Sequence, residues 1–289
     1  MTSPIVLFGA SGLLGSHIAT TVIRSGRPLR AVSRSPEKLQ GLRDLGAEVV
    51  RADMLEPSSL QAAVRGAAGV ISTANSFMSA GRHRGSATDM AGNLNLIAAC
   101  EQQDVQRFIF VSATAASPDS PVDFFRWKAE VELALQNGSL SYTVIRPTKF
   151  AEFWGRMIAD NIRAGRPAIV FGKGNFSENY VSVIDVARVI DDALADSQTL
   201  RRVIRVRGPE NLTALEVVRE CELETGGKAN VRKIPMAFLR SAGRLLRYVH
   251  PVASRMLLAA TIDDGGGNGG TNALDRPGAT TFRETLKNE

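Results

Sequence analysis

Apolar positions along the chain alternate between two periods. Short, nearly continuous apolar runs occur at Ile5–Phe8, Leu29–Val32, Glu48–Arg51, Val70–Ser72, Arg107–Ser112 and Tyr142–Arg146. Between them lie segments whose apolar residues recur every three or four positions: Leu13–Arg24, Pro36–Leu45, Pro57–Val64, Ser86 to about Gln102, and Val122–Gln136. The first pattern predicts strands buried on both faces and the second predicts helices with one buried stripe. Pro36 and Pro57 suit first helical turns, and Gly26, Gly46 and Gly66 suit helix ends. Strand and helix alternating through the first 150 residues predicts a parallel sheet with helices on both faces.

Beyond Pro147 the alternation loosens. The pattern predicts a helix over 150–164, short strands at Ala168–Phe171, Tyr180–Val181, Val203–Val206 and Val231–Ile234, and helices near 183–195, 214–225, 237–248 and 251–260. Three stretches read as capping boxes, Ser86–Asp89, Ser182–Asp185 and Thr213–Glu216, each with a hydroxyl three residues before a carboxylate. Gly265–Gly270 reads as a flexible connector. The expected organisation is a first domain over 1–150 and a mixed α/β annex over 151–289 that covers a substrate.

Strand Ile5–Phe8 runs into Gly9, Gly12 and Gly15 and then into a helix. This arrangement is suited to a dinucleotide: Gly9 for a sharp turn, Gly12 for close approach to a pyrophosphate, Gly15 for tight packing of the helix. The helix N-terminus adds free amides and partial positive charge. A glycine-rich turn without a ligand is the alternative. The spacing is G-x-x-G-x-x-G, not the commoner G-x-G-x-x-G.

After the second strand stand Ser33 and Arg34, with Lys38 one turn on, where an acidic residue would hold a ribose hydroxyl. A guanidinium there pairs with a 2′-phosphate and stacks on adenine, so NADPH is expected over NADH. Asp53 is placed either to accept from the adenine amino group or to shape its own turn.

Composition narrows the function. The chain has 289 residues, 44% of them hydrophobic and 22% charged, which fits a globular protein. No apolar run reaches the ~20 residues of a membrane span. Strand-forming residues begin at Pro4, so a cytoplasmic protein without signal peptide or membrane partner is expected. The net charge of +6 comes from dispersed basic residues, with Arg201, Arg202, Arg205 and Arg207 read as a solvated strand face, so no nucleic-acid partner is expected. Cys100 and Cys221 stand apart, and no His, Cys or carboxylate spacing suits a metal.

The glycine turn, Ser33-Arg34, Asp53, Val111–Thr114, Lys128, Val144–Pro147 and Tyr180–Ala187 occur in register. Together they resemble the atypical short-chain dehydrogenase/reductases, specifically the NmrA-like NAD(P)H-binding group. Thr280–Leu286 resembles that group's closing helix. The resemblance implies a Rossmann-type doubly wound sheet with a smaller C-terminal annex. The group includes quinone reductases, isoflavone-reductase-like enzymes and members that only sense the cofactor's redox state.

Carried onto this chain, the resemblance sets the cofactor against Gly9, Ser11, Gly12, Leu13, Leu14, Gly15, Ser33, Arg34, Lys38, Asp53, Met54, Thr73, Ala74, Asn75, Ser112, Lys128, Pro147, Thr148 and Phe150. It implies catalytic roles for Lys128 and for Thr114 or Ser112. The superfamily's proton-donating tyrosine falls on Phe124, which has no proton to give. Lys128 then donates the proton itself, as in isoflavone-reductase-like relatives, or solvent protonates a quinone or enone product, or Lys128 only clamps the ribose. Phe77, Phe124, Phe153 and Trp154 are candidate walls of an apolar substrate pocket, and Met157 is a wall or core. Arg82, His83 and Arg84 are candidate gating residues or a solvated loop. The implied function is reduction of a conjugated, aromatic or quinone-like small molecule by NADPH, with a non-enzymatic redox sensor as the alternative and a homodimer left open.

Overall fold

The computed structural model describes residues 3–78, 86–262 and 273–287. In chain order the strands are β1 (Ile5–Phe8), β2 (Leu29–Ser33), β3 (Glu48–Arg51), β4 (Gly69–Ser72), β5 (Phe108–Val111), β6 (Tyr142–Pro147), β7 (Lys149–Phe150), β8 (Ala168–Phe171), β9 (Ser177–Val181), β10 (Arg202–Arg207), β11 (Asn211–Thr213), β12 (Val231–Ile234) and β13 (Ala273–Pro277). The α-helices are α1 (Leu13–Arg24), α2 (Gln40–Asp44), α3 (Pro57–Val64), α4 (Asn93–Gln102), α5 (Asp123–Asn137), α6 (Ala151–Arg163), α7 (Val183–Ala195), α8 (Ala214–Thr225), α9 (Met236–Leu246), α10 (Pro251–Ala259) and α11 (Phe282–Lys287).

The main sheet is eight-stranded and parallel, in the order β13-β10-β6-β5-β4-β1-β2-β3. Alternation within each strand serves both faces. Ile5 and Leu7 point to a core completed by Ile18 and Val22 of α1 and by Val186 and Ile190 of α7. Val6 and Phe8 point to the opposite core, with Leu60 of α3, Leu96 of α4 and Val131 and Leu135 of α5. The expected doubly wound Rossmann-type architecture is therefore present. The order reverses between β1 and β4, which opens a crevice at their C-terminal ends, where such sheets bind ligands.

Two strands of this sheet, β10 and β13, come from beyond residue 150, and α7 packs on α1. The sheet thus runs across the boundary expected at 150. What remains of the second half forms the annex. Its core joins Ile158 and Ile162 of α6, Val217 and Cys221 of α8, and Phe282 and Leu286 of α11. Beside it lie the small sheets β11-β9-β7 and β12-β8.

The three expected capping boxes fare differently. Thr213 and Glu216 form a complete reciprocal box. Ser182 caps Ile184, but Asp185 turns away to accept from the Ala279 and Thr280 amides at 3.0 and 2.8 Å, tying down the C-terminal segment. Residues 86–92 wind as a π-helix before α4, and Asp89 is recruited by tertiary partners. The helix expected over 36–45 divides into a 3₁₀ turn, Pro36–Leu39, and α2. Arg82, His83 and Arg84 and the Gly265–Gly270 stretch lie outside the described residues. Strands β7 and β11 lacked a sequence signal because they have two and three residues, and β13 because it carries Asp275, Arg276 and Pro277. Among the described residues no helix is long and apolar enough to cross a membrane, and no cluster of metal-ligating side chains occurs.

Candidate active site

The crevice has two compartments. One follows the glycine turn. Gly9 has φ +88°, and a Cβ there would lie 2.5 Å from Thr73 Oγ1. A Cβ on Gly15 would fall 2.0 Å from the Gly9 carbonyl oxygen, so only glycine lets α1 pack this closely on the turn. At Gly12 a Cβ would meet only the Gly9 oxygen, at 3.3 Å, so the glycine there keeps the cleft open. Gly12 caps α1 without a side chain, and the first turn carries no acidic residue. The amides of Leu13, Leu14 and Gly15 lack helical acceptors there, as the first amides of any helix do. Gly9, Ser11, Gly12, Ser33, Arg34, Lys38, Asp53, Met54, Thr73, Ala74 and Asn75 all line this cleft. It is a backbone cradle with a cationic end, and it fits the pyrophosphate and adenosine ribose of a dinucleotide.

Asp53 lines the cleft, but its Oδ1 accepts from the Leu55 amide at 3.0 Å, so it also shapes its own turn. Arg34 and Lys38 are exposed.

The second compartment is a cavity of about 280 Å³, bordered by Leu13, Leu14 and Gly15 on one side. Its walls include Phe77, Phe124, Phe125, Phe150, Phe153 and Trp154, with Ser112, Thr114, Pro147 and Thr148 at the strand ends and Lys128 from α5. All four aromatic residues expected as substrate walls are here. Met157 is not; it lines a neighbouring cavity in the annex.

Lys128 is fully enclosed, with 2% of its surface exposed. Helical spacing sets Phe124, Lys128 and Glu132 on one face of α5. The Lys128 ammonium donates to the Val111 carbonyl at 2.9 Å and lies 4.7 Å from the Phe110 ring centroid and 5.4 Å from that of Phe124. Asp89 Oδ1 is 3.9 Å from Nζ, too far for a hydrogen bond, and has no hydrogen-bond partner among the described residues. The other oxygen accepts from the Ser76 amide at 2.9 Å and from the Ser76 hydroxyl. Burial pushes the Lys128 ammonium below the ordinary lysine range, against the pull of Asp89 and Glu132. Burial likewise raises the Asp89 carboxyl, against Lys128, Ser76 and Arg255.

The two candidate hydroxyls differ. Ser112 borders the cavity, but its Oγ donates to Glu132 Oε1, and Glu132 in turn holds Arg146 through bonds of 3.0 and 2.6 Å. That proton is committed to a buried carboxylate. Thr114 Oγ1 makes only a long 3.4 Å contact to the Pro147 carbonyl and is the hydroxyl better placed to meet a ligand. Thr148 is held by Asn179 at 2.9 Å.

Two residues carry the site without having been singled out as site residues in the sequence. Asp89 read as a cap. Arg255 gave no signal at all: from α10 it pairs with Asp123 at the start of α5 (2.9 and 3.2 Å), donates to the carbonyls of Ser76 and Phe77 at 3.2 Å, and lies 5.2 Å from the Trp127 ring centroid. It pins the annex over the aromatic cavity.

Comparisons with known proteins bear on the family and the fold. Photosystem II assembly factor Ycf39 of Cyanophora paradoxa is 28% identical over 82% of this chain and 74% of its own. NAD(P)H azoreductase of Xenophilus azovorans is 26% identical over 85% of this chain and 76% of its own. The fold of NADPH-dependent quinone oxidoreductase from Escherichia coli superposes with a TM-score of 0.75 at 18% identity, over 98% of this chain and 99% of that one. Residues 9–197 match the NAD(P)H-binding family, spanning the glycine turn, the cationic strand end and Lys128, and the chain belongs to that family.

Proposed function

We propose that this protein is an NADPH-dependent reductase of conjugated, aromatic or quinone-like small molecules. The observation that carries the reading is a buried lysine amine opening on an aromatic-walled cavity that adjoins the helix N-terminus of the nucleotide cleft. A protein that merely sensed its cofactor would be expected to fill that space with side chains. The azoreductase relative and the quinone oxidoreductase fold belong to the same chemical class, a flat conjugated acceptor. Arg34 and Lys38 favour the 2′-phosphorylated cofactor because both are exposed cations at the end of β2.

A nicotinamide cofactor held by the glycine turn and Arg34 would supply a hydride, and the acceptor, reduced by two electrons, would also need one proton at its anionic oxygen or nitrogen. Lys128 replaces the missing tyrosine as the donor of that proton. Its lowered pKa makes the proton easier to release than from an ordinary lysine. Asp89, whose Oδ1 lies 3.9 Å away, returns a proton to the amine. The Phe124 and Phe77 rings, 5.1 Å apart and edge-on, exclude water and offer stacking surface.

The test is cofactor oxidation by the purified chain across quinones, enones and azo compounds, with Lys128→Met and Lys128→Arg alongside. Lys128-dependent turnover of one acceptor class is the expected result. NADPH binding without turnover of any acceptor overturns the reading in favour of a cofactor-responsive regulatory protein, a role compatible with an assembly factor among the relatives.

A further inference from the structure

Trp154 and Lys149 belong to two cavities at once. On one side is the aromatic cavity above Lys128. On the other is a second cavity of about 240 Å³ in the annex. Its wall is drawn from Met157, Ile169, Phe171, Val217, Met236 and Ile262. The polar groups that border it satisfy one another: Lys149 pairs with Glu178, Tyr180 donates to Glu178 at 3.1 Å, and Thr261 donates to the Leu258 carbonyl at 2.7 Å. The lining therefore favours an apolar occupant.

The outer rim of this second cavity is apolar as well. Phe176 is 58% exposed, Met236 40% and Ile169 39%. Single exposed apolar residues are ordinary, but three around one opening form a patch with a use. An apolar chamber with exposed apolar residues at its rim thus lies back to back with the cavity that holds the reacting amine, and Trp154 and Lys149 form the wall between them.

We propose that the annex cavity receives the aliphatic tail of the acceptor, so that the substrate is a conjugated ring bearing a long apolar chain. This rests on the reductase reading for the ring and adds the chain. The ring lies against Phe77 and Phe124, and the chain passes Trp154 into the annex and reaches toward the mouth at Phe176. The tail's free energy of transfer goes to binding, because the annex cavity holds none of the groups that face the reacting atoms.

The test uses 2-methyl-1,4-naphthoquinones bearing no chain, butyl, octyl or decyl at position 3, with the full chain and NADPH. Ala260→Phe and Ala214→Phe each narrow the annex cavity from a different wall, and neither residue borders the ring cavity. In the wild type kcat/KM is expected to rise about two- to fourfold per added methylene until the cavity is full, mostly through KM. Both variants flatten that rise while turning over the unchained quinone as the wild type does. Calorimetric titration with 1-decanol gives a readout independent of turnover: saturable binding in the wild type, weakened at least tenfold in either variant. A flat chain-length series in the wild type overturns the tail site and leaves the reductase reading standing. Absence of turnover with every quinone counts against the reductase reading instead. Decanol binding then decides the cavity: binding that the variants lose supports the tail site, and no binding overturns it.

Discussion

The nucleotide cleft and the acceptor cavity touch, yet they are built by different means. The cleft is mostly backbone: a left-handed glycine, a helix start without a capping side chain, and amides with no helical acceptor. One contiguous stretch, residues 8–15, makes its central part. The acceptor cavity is mostly side chain. Its walls arrive from the ends of β4, β5 and β6, from α5 and α6, and from α10, and Arg255 fastens the last of these across 132 residues to Asp123. Backbone sites fail by steric exclusion, whereas side-chain sites fail by loss of a partner.

The sharpest way to test that difference is Gly15→Val. Its Cβ would be 2.0 Å from a carbonyl oxygen that cannot move without unmaking the turn. Loss of about 3 kcal/mol or more in denaturant unfolding, together with loss of NADPH binding, is expected. Gly12→Ala is its partner experiment. The backbone there is already extended, so stability should change by less than about 1 kcal/mol while NADPH affinity, read by titration, drops at least tenfold.

Next in size is Arg255→Met. It strips Asp123 of its ion pair and leaves the Ser76 and Phe77 carbonyls without this donor, at a cost of about 2–3 kcal/mol. If the two compartments are as separable as their construction implies, KM for the acceptor rises while the NADPH dissociation constant stays put. A matched weakening of both would break the comparison.

Lys128→Met is expected to act through pH. Asp89 titrates above its unfolded value because it is buried, and removing the ammonium raises it further. The folded variant then holds a proton that the unfolded chain has released. Its stability should fall as pH rises from the ordinary aspartate value near ~4 toward the raised one. Lys128→Met combined with Asp89→Asn removes that slope. In the wild type, activity should decline on the alkaline side below the ordinary lysine pKa, as the depressed Lys128 loses its proton. The smallest effect belongs to Arg34→Ala, exposed at the cleft's edge. It should weaken NADPH about ten- to a hundredfold and leave NADH nearly unchanged, with no effect on the thermal midpoint.

The sheet was legible because its strands are short, mostly apolar runs divided by glycine and proline, and residues 8–15 point to the cleft because their glycines stand between a strand and a helix. Lys128, Phe124 and Thr114 were reached through resemblance to a family; periodicity says only that they lie on or near α5 and β5. Asp89 was misread for a specific reason. Its sequence neighbourhood is that of a capping box, but the segment winds as a π-helix that lets the carboxylate reach the Ser76 amide. Arg255 was invisible because nothing in a helix such as Pro251–Ala259 tells a solvated arginine from a clamp. Strand β13, with two charged residues and a proline among its five positions, joins the sheet along the edge that β10 offers it.

Among the described residues, the linings of the cleft and the acceptor cavity have Gly12, Thr73 and Asn75 in common, with the first turn of α1 between them. Inheritance can work on the two sides of so narrow a seam almost independently. Substitutions that reshape the aromatic walls leave the glycine turn unaltered, so a lineage can exchange one acceptor for another while keeping its source of reducing power. Descendants of such a chain would keep their shape and diverge in diet.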